Sequence, residues 1–108
     1  MNEVNYLDYI LIPSNNKFYP AIFKRDSGKS IHIYYINSWG LGSLKQDLGI
    51  TKSITRRHTQ YIQKTTVFVK TDFTTVEKLI EKGTHYDKGK ALGIVKEFEE
   101  IRQKYINK

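Results

Sequence analysis

The densest grouping of chemically useful side chains in this 108-residue chain lies between Arg56 and Asp72. Arg56, Arg57 and His58 are consecutive, and Lys70 and Asp72 stand two apart in a β-prone run, a spacing that puts both on one face of a strand. A ribonuclease that works without metal needs groups of these types. One group takes the proton of the 2′-hydroxyl, another protonates the leaving 5′-oxygen, and cations hold the charge on the pentavalent phosphate. His58, Lys70 and Asp72 are therefore the candidate catalytic residues. The arginines beside His58 disfavour its imidazolium form, which suits it to act as a base or to contact a phosphate. Lys70 and Asp72 also have a plainer reading, as an exposed lysine and a carboxylate that prepares the start of a helix.

Charge partition draws attention to the same stretch. The chain carries 18 Lys and Arg against 11 Asp and Glu, a net charge of +7. Residues 1–47 and 72–108 are nearly balanced, whereas Leu48 to Thr71 holds Lys52, Arg56, Arg57, Lys64 and Lys70 and no acid. His58, Gln60, Tyr61 and several Thr and Ser lie in the same strip and supply hydrogen-bonding and stacking groups for phosphates, sugars and bases. Lys52, Arg56, Arg57, Tyr61 and Lys64 are thus candidate nucleic-acid-binding residues. An ordinary loop and strand that lack acids would look the same.

Several function classes are excluded or disfavoured. The chain has no Cys, which removes disulfides, Cys-ligated zinc, iron–sulfur clusters and thiol nucleophiles. His32, His58 and His85 have no metal-type spacing, and Gly40 and Gly42 lack the rest of a phosphate-binding glycine loop. No cofactor and no metal is expected. No apolar run approaches the ~20 residues that cross a bilayer, and the polar Met1-Asn2-Glu3 start is unlike a signal peptide. A cytoplasmic protein with no membrane partner is expected.

The elements that must position these groups form one α+β domain, sheet-rich over 1–72 and helical over 73–108. Tyr6 to Ile12 reads as a strand ending at a Pro13–Asn16 turn, followed by strands over Tyr19 to Arg25 and Ser30 to Asn37 joined around Gly28. The third strand is apolar on both faces, as an interior strand would be, and His32 within it reads as structural. Ser38 to Ser43 breaks the pattern with two glycines, and a short helical piece is expected near Leu44 to Leu48. Further strands are expected over Arg57 to Gln63 and Thr65 to Lys70. Thr74 and Glu77 have capping-box spacing, which starts a helix that stops at Gly83. A longer amphipathic helix is expected over Lys88 to Ile106, its apolar side carried by Leu92, Val95, Phe98, Ile101, Tyr105 and Ile106.

The order Tyr9–Ile12, Phe18–Phe23, Ile31–Ser38 and Lys64–Glu77, followed by an amphipathic helix, resembles the plasmid-maintenance toxins of the MazF/PemK kind and the related ToxN-type toxins. The best local match is Val67 to Glu77, with Lys70 at the family's Arg, Asp72 at its Asp and Thr75-Val76-Glu77 like its turn. Ser38 stands near the end of the third strand, and Tyr19 replaces the family's Arg before Pro20. The resemblance implies an SH3-like β-barrel with a C-terminal helix, metal-independent endoribonuclease activity, an acidic antitoxin partner and a homodimer. It adds Ser38 to the binding residues and favours RNA. The expected architecture is therefore a small antiparallel sheet or SH3-like barrel with C-terminal helices. The expected function is that of a small basic nucleic-acid-binding protein and endoribonuclease toxin. The alternatives are a non-enzymatic phage or plasmid accessory protein that binds nucleic acid or inhibits a nucleic-acid enzyme, and a protein–protein adaptor using the aromatic strands.

Overall fold

The computed structural model describes residues 4–51, 60–83 and 88–106. Strands β1 (Tyr9–Ser14), β2 (Lys17–Asp26) and β3 (Ser30–Tyr35) come first, then helix α1 (Ser38–Asp47). Strands β4 (Tyr61–Gln63) and β5 (Val69–Thr71) follow, then α2 (Phe73–Lys82) and α3 (Lys88–Ile106). The strands form one open antiparallel sheet in the order β4-β3-β2-β1-β5, which is the sheet alternative of the expected α+β class. Among the described residues no helix is long and apolar enough to cross a membrane.

Local chemistry explains the pairing. Asn15 and Asn16 both take positive φ, at 49° and 65°, and make the two-residue turn that sets Ser14 opposite Lys17. Strand β1 therefore runs on through Pro13. Pairing with β5 stops at Leu11, so the missing N–H of Pro13 costs no ladder bond on that side. Pro20 is tolerated in the same way, because β3 begins to pair with β2 only at Ala21. The expected start of β1 at Tyr6 is corrected to Tyr9. Leu7 takes a positive φ of 76°, and Asp8 closes a turn onto Asn5 through both its amide and its carboxylate.

Both faces of the sheet are apolar. Tyr9, Ile22 and Tyr34 meet Leu41 and Leu44 of α1, Val76 and Ile80 of α2, and Val95 and Phe98 of α3. On the opposite face Ile10, Ile12, Ala21, Ile31, Ile33 and Ile62 form a second buried cluster. Two of the residues assigned to the apolar side of α3 differ from expectation. Tyr105 and Ile106, in the last turn of the helix, are exposed, although Tyr105 still makes an edge contact with Tyr6 at 5.4 Å between centroids.

Helix α1 is longer than the sequence pattern suggests. Asn37 caps it by accepting from the Gly40 N–H at 2.8 Å, and the helix runs straight through both glycines. Close packing accounts for one of them: a Cβ on Gly40 would sit 1.8 Å from the carbonyl oxygen of Tyr35. At Gly42 nothing lies within 4 Å. The expected capping box is also displaced. Asp72 rather than Thr74 caps α2, because β5 ends at Thr71 and the chain turns directly into the helix.

These two glycines give a paired prediction. Gly42→Ala should stabilise the fold by about 0.5–1 kcal/mol through helix propensity. Gly40→Ala should destabilise it by about 1–3 kcal/mol, since α1 must move off β3. Denaturant midpoints read both, and shifts of the same sign would contradict the packing of α1.

Candidate nucleic-acid interface

A β-bulge builds the most distinctive surface of the described chain. In the β2–β3 ladder Phe23 pairs with Ile33 and Arg25 with His32, so Lys24 is the extra residue. The shift turns Arg25 to the face of His32, where Lys24 also lies, over the Tyr34 ring at 5.5 Å. On the next strand His32 pairs with Tyr61. Arg25, His32 and Tyr61 therefore form one cross-strand row, outside the buried cluster beneath the helices.

The row is open to solvent. Arg25 is exposed, Tyr61 is 57% exposed, and the His32 and Tyr61 rings stand 6.4 Å apart at 41°. Partial loss of hydration holds the His32 imidazole below its ordinary pKa, and Arg25 and then Lys24 push it the same way. Neighbouring carboxylates are already engaged. Asp47 takes Lys24 at 2.9 Å and the Tyr34 hydroxyl at 2.7 Å. Asp26 takes Lys64 at 3.1 Å and the Gly28 N–H at 2.8 Å, which holds its own carboxyl below the usual range. Arg25 and Lys29 have no acidic partner among the described residues.

The candidates read from sequence separate in space. Lys52, Arg56, Arg57 and His58 lie outside the described residues. Tyr61 is in the row, and Lys64 lies beside it, held on Asp26. Gln60 is structural: it is 7% exposed, its carbonyl accepts the Ile33 N–H at 3.0 Å, and its side-chain oxygen accepts that of Tyr35. Ser38 opens α1, past the far end of β3. Lys70 sits on β5, opposite Ile10, with its ammonium 3.4 Å from Asp8. Asp72 accepts the Thr75 N–H at 2.8 Å, and this bond holds its carboxyl below the usual range.

Strands β4 and β5 are opposite edges of the sheet, four strand spacings or about 19 Å apart along it. Tyr61 and Lys64 thus belong to one edge, Lys70 and Asp72 to the other. Arg25 and His32 were not legible as site residues, because the bulge that aligns them leaves no mark in residue type. Among the described residues no group of three or more His, Asp or Glu is arranged to hold a metal ion.

The cap on α2 has a pH signature. A carboxyl with a lowered folded-state pKa stabilises fully above its unfolded value, about pH 4, and loses that effect as pH falls through the folded value. Asp72→Ala should lower the melting temperature at pH 7 and flatten the loss of stability between pH 4 and 2. Parallel melting curves for the two proteins across that range would contradict the cap.

No protein-family model matches the chain, and no curated protein or solved structure matches it either.

Proposed function

We propose that this chain is a small nucleic-acid-binding protein that engages its ligand on the β2–β3–β4 end of the sheet, with RNA the favoured nucleic acid on the resemblance set out above. The single observation behind this is the row of Arg25, His32 and Tyr61, where a guanidinium with no acidic partner among the described residues, an imidazole and an exposed phenol ring are aligned by strand pairing. Arg25 supplies a phosphate contact, with Lys29 nearby on the adjoining turn. Planar, forked donors suit phosphate, and aromatic rings on a sheet surface suit bases. The net charge of +7 adds long-range attraction.

A non-enzymatic binding role fits the described residues best. Lys70 is engaged by Asp8, and Asp72 is a helix cap with a depressed pKa, a poor state for proton transfer at neutral pH. A metal-independent endoribonuclease is the second reading. It is favoured by the His32 imidazole, kept toward its neutral, basic form beside the Arg25 guanidinium.

Fluorescence anisotropy with a labelled RNA, in chelator, tests both. Affinity should fall steeply as salt rises, and Arg25→Ala should weaken binding about tenfold and reduce the salt slope by about one. Intact RNA after long incubation supports the binding role, and cleavage supports the second reading. Absence of salt-dependent retention would sink both.

A further inference from the structure

Resting on that reading, we infer that the row selects an unpaired strand: Tyr61 stacks a splayed base, Gln63 hydrogen-bonds its edge and Arg25 holds the adjoining phosphate. Tyr61 and Gln63 are two apart on β4, so both side chains leave the same face, and their partners on β3 are His32 and Ser30. The Gln63 side chain is exposed and makes no described hydrogen bond, which leaves its donors and acceptor for a base edge. Ser30, by contrast, is drawn into the Ser27–Lys29 turn, where its carbonyl accepts the Ser27 hydroxyl at 3.0 Å.

The geometry disfavours a duplex. Bases within a helix are stacked on each other and cannot lie on a ring fixed to a sheet, whereas a single strand presents its base faces. Reading a DNA major groove takes a protruding helix or ribbon. What the row offers instead is a phenol ring whose one described ring neighbour, His32, is tilted and 6.4 Å away. Adjacent strands lie about 4.8 Å apart, so Arg25 and Tyr61 are separated by about 10 Å across the sheet, a span suited to a base and the phosphate next to it.

Anisotropy titrations of the full chain with a labelled oligouridine and with a blunt RNA duplex of equal length, at one near-physiological salt concentration, test the inference. The oligouridine should bind at least tenfold tighter. Tyr61→Ala should lose about tenfold or more on the oligouridine and little on the duplex, Tyr61→Phe should keep the affinity, and Gln63→Ala should lose a smaller factor. Equal affinity of wild-type protein for the two RNAs would overturn single-strand selection while leaving nucleic-acid binding in place. So would an equal loss on both RNAs in a folded Tyr61→Ala. Failure to bind either RNA would overturn the functional reading itself. The wild-type ratio decides the question even if Tyr61→Ala does not fold.

Discussion

The guanidinium of Arg102 lies over the ring of Tyr9, 4.4 Å from its centroid, and donates to the backbone carbonyl of Leu7. Glu99, one turn back along α3, accepts from both Arg102 and the Tyr9 hydroxyl. These contacts join the last helix to the start of the first strand across separations of 90 and 95 residues of sequence. They also help hold Leu7 in a left-handed conformation, whose steric cost of about 1–2 kcal/mol for an L-residue must be offset by bonds elsewhere. Its N–H donates to Phe23 and its carbonyl takes Arg102, so both are satisfied. With α3 fixed on β1 and α2 packed against α3, the helical layer covers the middle of the sheet. Arg25, His32 and Tyr61 lie outside the buried cluster beneath the helices, which leaves them for the proposed interface.

Charge along a chain and charge in space are different quantities, and the strip from Leu48 to Thr71 illustrates it. No acid occurs there in sequence, yet the fold brings Asp26 from β2 onto Lys64 and Asp8 from the turn before β1 onto Lys70. Both lysines are about half exposed in these pairs, and such surface pairs are worth at most about 1 kcal/mol. They nevertheless cancel much of the local field. Near the row, Asp47 and Asp26 are likewise taken by Lys24 and Lys64, and Arg25 has no acidic partner among the described residues.

Much of the architecture was legible because periodicity carries it. The α3 bounds, the interior position of β3 and the stop of α2 follow from apolar spacing and from Gly28 and Gly83 at their turns. What was hidden depends on contacts between elements. Helix α1 looked broken because Gly40 reads as a helix breaker until the Tyr35 carbonyl beside it is seen. Asp72 looked like one half of an acid–base pair with Lys70, since spacing of two on a strand says nothing of where the strand ends. Tyr61 stands out in the sequence by its type and its basic surroundings. His32 reads in sequence as structural, because its place beside Arg25 and Tyr61 comes from strand pairing and the bulge in β2.

The central claim is that nucleic acid is held on the row formed by Arg25, His32 and Tyr61. Amide and side-chain NMR of isotope-labelled protein, titrated with an unlabelled oligouridine, tests it most directly, because each strand reports separately. The account predicts saturable shifts concentrated at Arg25, His32, Tyr61 and Gln63, with Lys70, Asp72 and the start of α2 unmoved. Shifts centred instead on Lys70 and Asp72 at the opposite edge, with the row silent, would contradict it.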